Sequence, residues 1–151
     1  MKDFYISGKT LVRYLGNEEQ VQIPNGIEVI AERCFEGNEI IKTVYFPGTL
    51  NEIRENAFTG CVSLQNIVNE GRLVRIEREA FDNCRKLLKF NLTNDLEYIG
   101  DNAFRRCFVL RRFEPWPENA YISDDAFYKC KAYKDIQDKC DQEKRQRIDE
   151  Q

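Results

Sequence analysis

The sequence predicts a repeat solenoid of the α/β class, in which each coil is a short strand followed by a short helical turn. Two observations predict it. Phe35, Phe58, Phe81, Phe104 and Phe127 stand 23 residues apart with no insertion, and a fixed period of about 20–50 residues is the signature of stacked repeats. Around them the pattern Xaa-Ala-Phe-Xaa-Xaa-Cys recurs, as "ENAFTGC", "REAFDNC", "DNAFRRC" and "SDDAFYKC". One such unit carries too few apolar residues to bury them alone. Stacked on its neighbours, it buries them all.

The other apolar positions keep the same phase. Five residues before each Phe comes Ile30, Ile53, Ile76, Ile99 or Ile122, and one before comes Cys34, Ala57, Ala80, Ala103 or Ala126. Three after comes Asn38, Cys61, Cys84, Cys107 or Cys130. Six after comes Ile41, Leu64, Leu87, Leu110 or Tyr133, and nine after comes Val44, Ile67, Phe90, Phe113 or Ile136. Val21 and Ile23 lie one period before Val44 and Phe46, so a partial repeat precedes the first full unit.

In chain order, "FYISGKTLVRY" (4–14) reads as a β-hairpin turning near Ser7-Gly8 and covering the first coil. Within each unit, Leu-x-x-Ile-x-(apolar), as in Leu64 to Asn69, ends with period-2 alternation and reads as a strand. The stretch around Ala-Phe, as in Arg54 to Thr59, is expected to make one or two helical turns. Gly37, Gly60 and Asn83 follow two residues after their Phe, where a left-handed cap would end the turn. Arg106 and Lys129 hold that place in the last two units, so those caps are expected to differ or to be strained. After Ile136 the chain turns charged, with Asp141–Arg145 and Glu143–Arg147 spaced for helical pairing. The predicted organisation is a hairpin cap over 1–20, the repeat array over 21–137, and a charged C-terminal helix or tail over 138–151.

The pattern Cys-x-x-Leu-x-x-Ile-x-(Ile/Leu)-Pro…Ile-x-x-x-Ala-Phe resembles the BspA-type leucine-rich-repeat family over roughly residues 6–137. "VQIPNGIEVIAERCF" and "VYFPGTLNEIRENAFTGCVSLQNI" carry the resemblance most fully. It implies a right-handed, curved leucine-rich-repeat solenoid with strands on one face. It also implies a binding role, many relatives being surface proteins that attach to host or matrix proteins. Two departures stand out. The Pro that ends the strand is kept at Pro24 and Pro47 but replaced by Glu70, Thr93 and Trp116. The last strand residue becomes Asn69 and Pro115 where Ile or Leu is expected, so the strand ends there are expected to be irregular.

Composition narrows the function classes. The 151 residues are 42% apolar and 32% charged with net charge −3, the profile of a globular chain without the basic excess of a general nucleic-acid or membrane binder. No apolar run reaches the roughly 18 residues of a membrane span, and "MKDFYISGKTLVRYLG" lacks a secretory h-region, so the expectation is a cytoplasmic chain with reduced thiols. Histidine is absent, which removes His-based nucleophile systems and His-containing zinc sites. "SGKT" (7–10) echoes a phosphate-binding loop, but Asp3 stands where its first Gly belongs. "NLT" (91–93) matches a glycosylation acceptor by chance, and Asp124-Asp125 or Glu52 with Glu55 read as surface charge. Cys61, Cys84, Cys107 and Cys130 would stack about 5 Å apart. That distance allows disulfides or thiolate metal binding, but Asn38 in the equivalent place favours small buried hydrophobes. Cys140 lies outside that ladder as an exposed or semi-exposed thiol. No nucleophile–base pair supports an enzyme, and no cofactor is implied.

What remains is a binding face. The x positions of the strand motif point away from the core. They carry five cations (Lys42, Lys89, Arg111, Arg112 and Lys134) against three anions (Glu19, Glu114 and Asp135). Tyr45, Val68 and Leu88 add apolar surface on consecutive coils, Asn91 adds an amide, and Trp116 stands at the rim. Tyrosine, tryptophan and arginine are the usual interface anchors. The sequence therefore predicts a monomer or end-to-end dimer that binds a partner protein of somewhat acidic surface, as scaffold, adaptor or inhibitor. The alternatives are an adhesin-type domain of an exported protein and, below that, nucleic-acid binding through the basic strip. Small molecules and membranes are not implied.

Overall fold

The computed structural model of the protein describes residues 3–130 together with 142, 145, 146, 148 and 149. The strands are β1 (Phe4–Ser7), β2 (Thr10–Tyr14), β3 (Gln20–Gln22), β4 (Val29–Ile30), β5 (Thr43–Phe46), β6 (Glu52–Ile53), β7 (Asn66–Asn69), β8 (Arg75–Ile76), β9 (Lys89–Asn91), β10 (Tyr98–Ile99), β11 (Arg112–Glu114) and β12 (Tyr121–Ile122). They form two sheets. A broad one has the order β11-β9-β7-β5-β3, and a narrow one has the order β1-β2-β4-β6-β8-β10-β12. Strands on one face only, as the family resemblance implied, is thus corrected. The second sheet is built on the isoleucines that precede each Phe, in strands of only two residues.

Register follows the period. Gln20, Thr43, Asn66, Lys89 and Arg112 are successive Cα partners across the broad sheet. Val29, Glu52, Arg75, Tyr98 and Tyr121 do the same across the narrow one. At the N-terminal end, β1 pairs antiparallel with β2, which pairs parallel with β4. Gly8 opens the turn between them at φ 62°, a value glycine adopts without a Cβ clash.

Each coil delivers the same side chains to one core. Ile53, Ala57, Phe58, Cys61 and Leu64 are fully buried, and so are their counterparts in the next two coils. The repeat phenylalanines stack face to face, with ring centroids 4.6 Å (Phe35–Phe58), 4.8 Å (Phe58–Phe81), 5.3 Å (Phe81–Phe104) and 5.3 Å (Phe104–Phe127) apart. Tyr14 of β2 continues the column onto Phe35 at 5.3 Å. Phe90 and Phe113, from the broad sheet, meet this column edge-on, an arrangement the ring quadrupole favours.

The expected helical turns are not there: the segments around Ala-Phe contain no helix. The residue two before the Phe has positive φ (Arg33 60°, Asn56 58°, Glu79 56°, Asn102 55°), whereas a helix keeps φ near −60°. The residue two after it is left-handed as well (Gly37 74°, Gly60 74°, Asn83 62°, Arg106 62°, Lys129 60°). This alternation points every second amide along the stack. Phe35, Phe58, Phe81 and Phe104 donate N–H to Ala57, Ala80, Ala103 and Ala126 of the next coil, each at 2.7 Å. The residues two either side repeat this, as in Asn56 to Arg78 (3.1 Å) and Gly60 to Asp82 (2.8 Å). The intervening amides close local turns, as in Ala57 to Arg54 (3.3 Å) and Cys61 to Phe58 (3.2 Å). A left-handed third residue is what a type II turn demands. Arg106 and Lys129 do not differ in conformation from the Gly caps; Arg106 N donates to Tyr128 O at 2.9 Å, as its glycine counterparts do.

The broad sheet is irregular where the sequence departs from the pattern. The β7–β9 ladder runs only through Asn66↔Lys89 and Ile67↔Phe90, while β5–β7 continues to Phe46↔Asn69. A side-chain clamp replaces the missing rungs. Asn69 N donates to Asn91 Oδ1 (2.7 Å), Asn91 Nδ2 donates to Asn69 O (2.6 Å), and Gly71 N donates to Asn69 Oδ1 (2.9 Å). The expected C-terminal helix over 138–151 falls largely outside the described residues. Tyr133, Lys134, Asp135, Ile136, Gln137 and Cys140 fall wholly outside them.

Candidate binding face

The outward side of the broad sheet carries two parallel rows. The first is Thr43, Asn66, Lys89 and Arg112, and the second, two residues further along each strand, is Tyr45, Val68, Asn91 and Glu114. Just before the strands the chain turns a corner that also points outward. There Glu19 O accepts from both Lys42 N and Thr43 N, Lys42 O from Gln65 N and Asn66 N, and Leu88 O from Arg111 N and Arg112 N. One carbonyl serving two successive amides explains why two neighbouring residues face solvent instead of alternating. Lys42, Leu88 and Arg111 sit on these corners.

Between the rows lies a depression of about 460 Å³, lined by Thr43, Tyr45, Asn66, Ile67, Val68, Lys89, Asn91, Arg112 and Glu114. Of the residues expected to bind, it brings together Tyr45, Val68, Lys89, Asn91 and Arg112. Lys42 stands apart and is bound to Glu19 at 3.3 Å. Leu88 and Arg111 are exposed on the corners, outside the depression. Trp116 is half-buried and turns onto the core, with ring centroids 6.1 Å from Phe113 and 5.7 Å from Phe127. Thr43, Asn66 and Glu114 line the depression without having stood out as anchors. Their outward phase was the available signal. Ile67 forms part of its floor, and nothing in its buried repeat position marked it.

Asn91 is only partly available to a ligand, because its amide holds Asn69 through both Oδ1 and Nδ2. Lys89 and Arg112 are the opposite case. They are Cα partners on neighbouring strands, and neither makes an ion pair with any described residue. Some guanidinium groups elsewhere are matched, as in Arg75–Glu77 (2.7 Å) and the two-pronged Arg105–Asp82 contact, whereas Arg13, Arg72, Arg106 and Arg111 likewise make no ion pair among the described residues.

The thiols lie elsewhere, inside the stack. Cys34, Cys61, Cys84, Cys107 and Cys130 are buried, and the first four are free thiols. Cys61, Cys84 and Cys107 donate S–H to the carbonyls of Phe35, Phe58 and Phe81 at 3.2, 3.2 and 3.1 Å. Burial pushes the Cys34 and Cys61 thiols up to about 12, and drives Cys84 well above the ordinary thiol range with the neighbouring Cys107 adding to the shift. Thiols held neutral are poor metal ligands and nucleophiles. No group of three His, Cys, Asp or Glu residues among those described is placed to hold a metal ion. A second feature, on the narrow sheet, escaped the sequence reading: Arg75 lies 4.2 Å over the Tyr98 ring, and Tyr98 stacks on Tyr121 at 5.5 Å.

A family model described as the BspA type leucine rich repeat region matches residues 9–134 in six copies. No curated protein matches the chain. Among solved structures, the T. pallidum leucine rich repeat protein is 23% identical with a TM-score of 0.75, the match covering 87% of this chain and 66% of that one. A leucine rich cell surface protein from Faecalibacterium prausnitzii is 23% identical with a TM-score of 0.56, over 83% of this chain and 44% of that one. A leucine-rich repeat protein from Bacteroides capillosus is 23% identical with a TM-score of 0.58, over 80% of this chain and 99% of that one. The chain thus spans just under two thirds of the T. pallidum protein and less than half of the Faecalibacterium one. At these identities the likeness is one of fold. The six matched copies share the period that sets both sheets and the phenylalanine column, and the chain belongs to the BspA-type leucine-rich-repeat family.

Proposed function

We propose that the protein is a protein-binding module that docks a partner on the outward face of the broad sheet. A leucine-rich-repeat family of this kind suggests a protein-binding repeat module. The single observation that carries the choice of face is the depression across β5, β7, β9 and β11, where Tyr45 and Val68 adjoin Lys89 and Arg112. Aromatic and arginine side chains on a rigid surface are the usual anchors of an interface. A lattice of parallel strands holds them with little ordering left to be done on binding. The partner surface is acidic in part, and the role is that of scaffold, adaptor or inhibitor within the cytoplasm. Our reading gives β1 and β2 the task of closing the first coil, since Phe4 and Tyr14 carry the ring stack to its N-terminal end.

A second reading places the same face outside the cell, in an adhesin-type protein. It is favoured by the Faecalibacterium structure described as a cell surface protein. Affinity capture from source cells, with the wild type beside Arg111→Glu/Arg112→Glu, tests the first reading. A partner held by the wild type and lost by the double variant is the expected result. The same partner held equally by both would overturn the choice of face. Fractionation of the native gene product separates the two readings, since export predicts the protein at the cell surface.

A further inference from the structure

Resting on that protein-binding reading, we infer the chemistry of the segment the depression takes: an extended acidic stretch of the partner with an apolar residue near its carboxylate. Lys89 and Arg112 present like charges directly across two neighbouring strands. Such a pairing is destabilising in a sheet, and the chain offers it no counter-ion among the described residues, although it supplies one to Lys42. A carboxylate seated between an ammonium and a guanidinium completes the arrangement with charge-assisted hydrogen bonds.

The second anchor lies on the other row. Tyr45 and Val68 are Cα partners, two strands and one strand away from Lys89 respectively, with Val68 37% exposed. A strand spacing of about 4.8 Å and a two-residue rise of about 6.7 Å put Val68 roughly 8 Å from Lys89. The midpoints of the two pairs are then roughly 12 Å apart. Same-side residues of an extended peptide recur about every 6.7 Å, so the apolar residue stands two to four positions from the acidic one.

The test is selection from a displayed random-peptide library on immobilised full chain. Three proteins are used: wild type, Lys89→Glu/Arg112→Glu and Tyr45→Arg/Val68→Arg, with circular dichroism confirming that each folds. The expected result is enrichment of peptides with Asp or Glu two to four positions from Leu, Ile or Phe. Their affinity should fall at least about tenfold on charge reversal, the size of one charge-assisted hydrogen bond, and fall again in the Tyr45/Val68 variant. Peptides lost in the Tyr45/Val68 variant but indifferent to charge reversal would overturn the acidic-segment inference and leave the binding face standing. Peptides indifferent to both variants, or none selected, would overturn the face itself. Tighter binding of a single-stranded RNA oligonucleotide than of any selected peptide would overturn both.

Discussion

Cys61 shows how one side chain can serve a stack without chemistry of its own. Its thiol fills the space beside Phe58 and donates to the Phe35 carbonyl of the preceding coil. Burial raises its pKa from the ordinary 9.0 to about 12, and Cys34 behaves likewise. The folded protein therefore holds a proton that the unfolded chain releases near 9. The stabilisation is complete below that pH and is lost as pH rises towards 12, at about 1.4 kcal/mol per pH unit per thiol. Urea denaturation followed from about pH 8 to about pH 11 should show stability falling more steeply than one titrating group allows, with Cys61→Ala removing about one proton from the slope. Thr93 is the converse. It stands where Pro24 and Pro47 end their strands, and its Oγ1 is the buried side-chain oxygen without a hydrogen-bond partner among the described residues. A buried orphan hydroxyl costs about 1–3 kcal/mol. Thr93→Val should therefore raise stability by roughly 1 kcal/mol, read as an upward shift of the thermal midpoint.

The repeat unit is where reading the sequence was strongest and also where it failed. The broad strands were legible because Leu64 to Asn69 alternates, and because each apolar position recurs at 23 residues. The narrow strands were not, since two residues such as Glu52–Ile53 are too short to display any period. The turns were misread as helical for a related reason. Apolar spacing reports which side chains are buried, while the left-handed φ that excludes a helix falls on Arg33, Asn56, Glu79 and Asn102, residues that do not advertise it as glycine does. Arg106 and Lys129 make the cost visible. Each occupies the position of Gly37 and Gly60, at φ 62° and 60°, although a Cβ disfavours that region by about 1–2 kcal/mol. Glycine itself loses about 0.5–1 kcal/mol through unfolded-state entropy. Arg106→Gly should then stabilise the fold by roughly 0.5–1 kcal/mol, measured as a shift in the urea midpoint at unchanged slope. A loss of stability would mean that the Arg106 stem contributes packing that outweighs the backbone strain.

At the scale of the whole molecule the coils stand or fall together, because each phenylalanine ring is a wall of the next coil's cavity. Phe81 sits mid-column between Phe58 and Phe104 and also meets Phe90 edge-on. Phe81→Ala should remove about 3–5 kcal/mol and lower the thermal midpoint by roughly 10 °C. The binding face follows different rules. Its outward phase was legible in the sequence, so Tyr45, Val68, Lys89 and Arg112 could be named. The depression that joins them, and the corners that set Leu88 and Arg111 apart, depend on main-chain bonding that no residue type announces. That face also sets stability against binding. Lys89 and Arg112 repel across the sheet, and replacing one by an acid turns the repulsion into a cross-strand ion pair. Lys89→Glu should therefore stabilise the array by about 0.2–1 kcal/mol, more at low salt than at high, while abolishing recognition of an acidic segment. Thermal melts at two salt concentrations, run beside peptide binding on the same preparation, decide the matter. A variant more stable and binding-dead shows a charge pair kept for its ligand, whereas a variant less stable shows Lys89 held in place by the fold.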